Sequence, residues 1–301
     1  MPVSKEKLVV IAGTNASGKS GLGIELAGKY DAEIVSADSR QVYKGLDLGS
    51  GKVTPEEMKS VPHHLLDVAE PDTFFTLVDF QEMAYKAIDD IHTRGKKAFL
   101  VGGTGLYVNS VVDGYNIVRQ DPDLKLREEL NSKSIDELAD IIRSHDPKIL
   151  EGMDMHNKQR VERAAERVIS GDSGVRVNNP LYDTLVIGVT WPREILYKRI
   201  EERLDRRFEQ GMIDEVVNLR KNGVSDSFLY GLGLEYRYIL MYLRGEFESF
   251  EAFRDKLFME IRHLAKEQMT WFRKRKDIHW IDMEGNPMEE ASSLIDEFLD
   301  S

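Results

Sequence analysis

Short apolar runs alternate with longer stretches whose apolar residues recur at helical spacing. Residues 8–12, 33–36, 98–101, 185–190 and 278–282 are compact and rich in Val, Ile, Leu and Ala, as buried strands are. Residues 20–29, 76–94 and 191–210 carry the helical period, the last with Pro192 close to its start. Strands and helices taken in turn predict an α/β fold, a parallel sheet with helices on its faces. Helical spacing returns at 234–243, 250–276 and 288–299.

Between residues 114 and 179 the pattern changes to a highly charged segment with helical spacing, punctuated by Asp121-Pro122, Asp146-Pro147 and Asn179-Pro180. This predicts a helical insertion domain, 114–179, within an α/β core formed by 1–113 and 180–301. No internal repeat and no low-complexity tract interrupts either part.

Composition narrows the class. The chain has 301 residues, enough for a substantial core, with 41 Lys and Arg against 53 Asp and Glu, a formal net charge of −12. That balance argues against coating nucleic acid by bulk charge, but local basic faces remain. Arg262, Lys266, Arg273, Lys274, Arg275 and Lys276 face only Glu267 within their stretch, and Arg160, Arg163 and Arg167, like Arg199, Arg203, Arg206 and Arg207, share helix faces. Each cluster reads either as a solvated surface or as an anion footprint. The absence of cysteine excludes disulfides, thiolate metal sites and cysteine nucleophiles. No run of about eighteen apolar residues occurs, and residues 1–7 are too polar for a secretory signal, so a cytoplasmic protein is expected.

The chemistry begins at Gly13-Thr14-Asn15-Ala16-Ser17-Gly18-Lys19-Ser20, between the first strand and the first helix. A G-x-x-x-x-G-K-S loop in that context is a phosphate cradle: amide N–H groups turn inward, the helix presents its positive end, and Lys19 adds a mobile charge. The Ser20 hydroxyl is placed to help hold Mg2+ against phosphate oxygens. Ligands of open parallel sheets sit beyond the carboxyl ends of the strands, where this loop, residues 36–41 and Gly102-Gly103-Thr104-Gly105 converge. Asp38 is there a general base, an outer partner of the magnesium ion, or a loop aspartate capping its own turn. His63-His64 lacks an evident acidic partner and is expected to be structural. Phe74, Phe75, Trp191, Trp271 and Trp280 are expected in the core, although a tunnel lined by one or two of them suits an isoprenoid tail.

A longer series of motifs is more specific than the loop. After it come Asp38-Ser39-Arg40-Gln41-Val42-Tyr43-Lys44-Gly45-Leu46-Asp47-Leu48-Gly49, Pro62-His63-His64-Leu65-Leu66-Asp67 and Val101-Gly102-Gly103-Thr104-Gly105-Leu106-Tyr107. Asn157-Lys158-Gln159-Arg160-Val161-Glu162-Arg163-Ala164 and the block from Arg262 to Arg273 complete it. In this order the blocks resemble those of the tRNA dimethylallyltransferases, also called tRNA isopentenyltransferases. The resemblance implies transfer of a dimethylallyl group from dimethylallyl diphosphate to the exocyclic amino group of the adenine 3′-adjacent to the anticodon, with Mg2+ present and pyrophosphate released. It implies a P-loop core and a partner in the tRNA anticodon stem-loop, and a monomer is expected.

By the same resemblance Asn15 through Ser20 hold the diphosphate, Lys19 assists its departure, and Asp38 takes the proton from the adenine amino group. Thr104 matches a contact to the reacting nucleotide. Asp38, Ser39, Arg40 and Gln41, with Gln159, Arg160, Val161, Glu162 and Arg163, match tRNA-contacting stretches, and Lys125 falls where a basic tRNA contact is common. Two positions depart from the pattern: Leu234-Glu235 precedes Tyr236 near a usual Gly-Tyr pair, and Glu267 stands where a basic residue is common. Three other readings share some of these features. They are a prenyltransferase acting on a free adenine nucleotide, which has no need of the insertion; a small-molecule P-loop kinase, for which no Walker-B aspartate is evident; and a nucleotide-gated RNA-binding protein without catalysis.

Overall fold

The computed structural model describes residues 5–117, 123–151, 153–155, 157–171 and 178–301; the side chains of Leu124 and Gln159 lie outside that description, as does the turn expected at Asp121-Pro122. Contacts divide the chain into two compact units, Met1–Gly114 with Pro180–Ser301, and Tyr115–Asn179. Gly114 belongs to the first, one residue beyond the expected boundary.

The first unit runs β1 (Lys7–Gly13), α1 (Lys19–Lys29), β2 (Ala32–Ser36), β3 (His63–His64), α2 (Leu77–Thr93), β4 (Lys97–Gly102) and α3 (Gly105–Val112). The second holds α4 (Leu124–Ser132), α5 (Ile135–His145) and α6 (Lys158–Ile169). The first then resumes with β5 (Asp183–Thr190), α7 (Arg193–Glu209), α8 (Met212–Lys221), α9 (Asp226–Leu232), α10 (Leu234–Leu243), α11 (Phe250–Phe272), β6 (Ile278–Asp282) and α12 (Pro287–Asp300).

All strand pairings in the six-stranded sheet are parallel, in the order β3-β2-β4-β1-β5-β6. β1 lies between β4 and β5, with Val10 opposite both Leu100 and Val186, so every residue of the strand after Lys7 is buried. Its side chains alternate between faces. Leu8, Val10 and Ala12 pack with Phe80 and Ala84 of α2, Val108 of α3 and Phe272 of α11. Val9 and Ile11 pack with Leu22 and Ile24 of α1 and Ile295 of α12. Each such buried Val, Leu, Ile or Phe side chain is worth roughly 1.5–3 kcal/mol relative to exposure. A third core joins α7 through α11, from Ile200 and Val216 to Tyr236, Phe253 and Ile261, and receives Val42 and Leu46 from the chain after β2.

The helical unit has its own core of Leu130, Leu138, Ile142, Val161, Ala164, Ala165 and Val168. Its helices start on side-chain caps. Asp123 accepts from Leu126 N–H, Asn157 accepts from Arg160 N–H, and Ser134 and Glu137 form a reciprocal box.

Several expectations are corrected. The helix expected over 250–276 stops at Phe272, and Arg275 beyond it pairs with Asp113 and Asp277. Helices α8 and α9 were not evident in the hydrophobic pattern, and His63–His64 forms a short edge strand. His64 does have an acidic partner: its Nε2 lies 2.8 Å from Glu33, which Arg94 also binds, so the pair stitches β3 to its neighbours. Phe74 is 74% exposed rather than a core residue, and Trp280 points outward from edge strand β6 while its neighbour Ile281 points in.

Candidate active site

Sheet order decides what meets here. β2, β4 and β1 are adjacent, so the segments leaving their carboxyl ends share one edge of the sheet: Ala37–Gln41, Gly103–Thr104 and Thr14–Gly18.

Gly18, at φ 87° in the left-handed region open to glycine, turns the chain out of the loop and caps α1, so that Lys19 and Ser20 begin the helix. No acidic residue occupies that first turn, which leaves the positive end of the helix unopposed by its own side chains. The loop's outward groups are already engaged. Ala16 C=O accepts from Arg199 Nε at 3.0 Å, Ser17 C=O from Trp191 Nε1 at 2.8 Å, and Thr14 C=O from Ser17 Oγ at 2.8 Å. Asn15 N–H donates to Gln268 Oε1 at 2.8 Å, so this amide braces the loop instead of being free for phosphate. Gln268 Nε2 in turn donates to Gly103 C=O at 2.9 Å, tying the loops after β1 and β4 to one residue of α11.

A cavity of about 470 Å³ opens over the loop, walled by Gly18, Lys19 and Ser20 on one side and by Arg199, Arg203, Arg206 and Arg207 of α7 on the other. Burial pushes the Lys19 ammonium down to about 8, against the pull of Asp38 and with the help of Arg203 and Arg207. Burial, then the Arg207 guanidinium, presses Arg203 down to about 9. Both shifts have one meaning: positive charge is concentrated where water is scarce, and an anion relieves it.

A second cavity of about 320 Å³ shares Lys19, Ser20, Arg203 and Arg207 with the first and adds Asp38, Arg40, Thr104, Gln268 and Trp271. Asp38 Oδ1 accepts from Arg40 N–H at 3.0 Å and from Gln41 N–H at 3.4 Å, so the carboxylate is oriented by the turn it nucleates. Asp38 is thus a loop aspartate that caps its own turn while it lines the cavity. Thr104 Oγ1 accepts from Ser39 N–H at 3.1 Å and thereby fastens the turn after β4 to the Asp38 loop. Trp271 reaches this wall, whereas Trp191 serves the phosphate loop.

Arg203 and Arg207, expected to be either a solvated surface or an anion footprint, line this wall, as do Gln268 and Glu235, which were given no role. The signal for the arginines was their spacing on one face of α7; Gln268 stood out only as part of a motif block and Glu235 only as a departure from the family pattern, since their partners are distant in sequence. The other singled-out residues lie in the helical unit. Lys125 and Arg160 are exposed, and Arg163 is exposed and bonded to Glu166 at 2.7 Å. Glu162 is half-buried near Lys158, and Val161 is fully buried in that unit's core, so its side chain is not a surface contact. Of Gln159 only the backbone is described, within α6.

The model of the family described as IPP transferase matches residues 41–275. The chain is 41% identical over 294 residues to tRNA dimethylallyltransferase 2 of Shewanella sediminis, covering 96% of this chain and 97% of that protein. It is 38% identical to the tRNA dimethylallyltransferase of Halalkalibacterium halodurans, over 98% and 97% of the two. Among solved structures, the full-length tRNA isopentenylpyrophosphate transferase of Bacillus halodurans superimposes with a TM-score of 0.74 at 38% identity, over 97% of this chain and 98% of that one. A eukaryotic dimethylallyltransferase acting on tRNA gives a TM-score of 0.83 at 25% identity, over 98% and 80%. With its loop, sheet order and cavities in place, and with matches along nearly its whole length, the chain belongs to the IPP transferase family.

Proposed function

We propose that this protein transfers the dimethylallyl group of dimethylallyl diphosphate to the exocyclic amino group of the adenine 3′-adjacent to the anticodon in tRNA, releasing pyrophosphate. The observation that carries the reading is the shared wall: Lys19, Ser20, Arg203 and Arg207 line both the cavity over the phosphate loop and the cavity that holds Asp38. A leaving diphosphate in the first and an acceptor base in the second then meet across a few side chains.

In the reaction the bond between the allylic carbon and the bridging oxygen breaks, and its electron pair leaves with pyrophosphate. The adenine nitrogen bonds to that carbon, and its proton passes to a carboxylate oxygen of Asp38. Negative charge grows on the departing oxygens, where Lys19, Arg203, Arg207 and the amides opening α1 stabilise it most. The amino lone pair is delocalised into the ring, so removal of its proton as the bond forms contributes about 10²–10⁴-fold. The oxygen donors here, the Ser20 hydroxyl with Asp38 nearby, suit a hard cation, and no cluster of three or more His, Cys, Asp or Glu offers another site among the described residues. Mg2+ held there by Ser20 and the diphosphate would neutralise the leaving oxygens.

The acceptor base must leave its stack to reach so recessed a carboxylate. Arg40 and Gln41 beside Asp38, with Lys125, Arg160 and Arg163 of the helical unit, supply donors for an RNA backbone, and the enzyme acts as a cytoplasmic monomer in this reading. Among the described residues no helix is long and apolar enough to cross a membrane. The test is incubation with unmodified tRNA, Mg2+ and dimethylallyl diphosphate, followed by digestion and mass analysis. Isopentenyladenosine is expected at one position of the anticodon loop. Transfer to adenosine monophosphate in preference to tRNA, or phosphoryl transfer from a nucleoside triphosphate without any prenyl donor, overturns the assignment.

A further inference from the structure

Glu235 is a carboxylate only 4% exposed, on the wall of the cavity that holds Asp38. Its place follows from an abrupt junction. α9 ends at Leu232 and α10 begins at Leu234, with Gly233 at φ 73° between them and Leu234 itself at φ 37°. The second residue of the new helix is thereby carried into the site, near the helix's positive end.

Two cations converge on it from different sides. Arg40 Nη1 lies 3.0 Å from Oε2, and Arg207 Nη1 lies 3.6 Å from Oε1. The backbone N–H of Arg40 is one of the two that orient Asp38, so Glu235 reaches the candidate base through one residue. On the other side, Arg207 rests against Gly51, where a Cβ would stand 1.7 Å from its guanidinium, and it lines the phosphate-side cavity. The next residue on α10 continues the brace. Tyr236 Oη bonds Glu215 at 3.0 Å, and Glu215 collects the amides of Asp47, Leu48 and Gly49 at 3.0, 2.6 and 3.1 Å.

We propose that Glu235 is a positioning residue of the transfer reaction, holding Arg40 and Arg207 so that the turn bearing Asp38 and the arginines over the phosphate loop keep one fixed spacing. This rests on the proposed function but makes a separable claim. Glu235 offsets part of the positive charge that an anion would otherwise meet, and it fixes the turn whose carboxylate takes the proton. Its removal therefore has opposite effects on the two sides. Without the carboxylate the free arginines attract phosphate more strongly, while Asp38 loses its support.

The test uses the full-length protein with Glu235→Gln and Glu235→Asp, pyrophosphate titrated by calorimetry, and transfer to tRNA measured at saturation. For Glu235→Gln, pyrophosphate is expected to bind about threefold more tightly while kcat falls about tenfold. Glu235→Asp, which keeps the charge, is expected to retain wild-type pyrophosphate affinity. Unchanged affinity and kcat in Glu235→Gln, or a fall in both together in protein that still melts cooperatively, overturns the proposal. If Glu235→Gln does not fold, Glu235→Asp combined with Arg40→Lys decides it. Equal fold losses of kcat from Arg40→Lys in wild-type and Glu235→Asp backgrounds show no coupling and refute the role. Wild-type protein that binds pyrophosphate yet prenylates no tRNA refutes the functional reading, and the calorimetric arm still judges Glu235.

Discussion

Asp38 combines two tasks that are separable by substitution. Asparagine keeps an oxygen for the N–H groups of Arg40 and Gln41 but has no basicity at neutral pH, so the turn survives and the proton acceptor does not. Asp38→Asn is expected to lower kcat by about 10²–10⁴-fold and to leave pyrophosphate binding as tight as before or slightly tighter. Turnover preserved within threefold would assign the proton to another group. Lys19 makes a second prediction through pH. Burial holds its ammonium near 8 in the free protein, and a bound diphosphate favours the charged form. Pyrophosphate affinity should therefore fall about tenfold between pH ~7 and pH ~9, with proton uptake on binding that grows over the same interval. Lys19→Ala, titrated in buffers of different ionisation enthalpy, should show weaker binding with less of that uptake, the remainder belonging to Arg203. The loop and Asp38 were legible in the sequence because their chemistry is local, set by a few neighbours in the chain. Arg203, Arg207 and Glu235 were not, because spacing along a helix gives the face a side chain occupies and not what that face meets.

The supports of the site are elements, and α11 is the one that joins them. This 23-residue helix buries Phe253, Leu257, Ile261 and Ala265 along one stripe and places Gln268 between the loops that follow β1 and β4. Removing the amide leaves Asn15 N–H and Gly103 C=O without their side-chain partner at the wall of the cavity. Gln268→Ala is thus expected to cost about 1–3 kcal/mol of stability and to weaken pyrophosphate binding severalfold, since the loop is no longer preorganised. Denaturant unfolding and calorimetry of the same preparation check both, and a variant unchanged in each would reduce Gln268 to a bystander. The elements themselves were legible where one period persists. All five expected strands lie within the observed ones, and the helix expected over 234–243 is α10. α9, of seven residues, is too short to establish a period between turns. The overrun at 250–276 has another cause. Arg273 through Lys276 are all adequate helix formers, so local propensity did not mark the end, and the structure instead places Arg275 in ion pairs with Asp113 and Asp277 before β6.

At the scale of the molecule, the apolar clusters follow the division of the chain. Among the described residues, three cores lie within Met1–Gly114 and Pro180–Ser301, and one lies within Tyr115–Asn179. Tyr115 and Asn178 pair in an antiparallel bridge, so the chain enters and leaves the helical unit side by side. Excision of residues 115–179 with a short Gly-Ser connection from Gly114 to Pro180 removes no residue of the three other cores and none that lines the two cavities. The shortened protein is expected to unfold cooperatively and to bind pyrophosphate within about threefold of the full chain. Its affinity for tRNA should fall by more than about tenfold. The salt dependence of that affinity should flatten too, because the counterions released by Lys125, Arg160 and Arg163 no longer contribute to the slope. The three measurements separate the possible failures. Loss of folding would mean that the four cores are not energetically independent. Loss of pyrophosphate binding would mean that the arginine-lined cavity depends on the excised residues. Undiminished tRNA affinity with an unchanged salt slope would remove the helical unit from RNA recognition and leave Arg40, Gln41 and the basic residues of α11 to hold the anticodon loop.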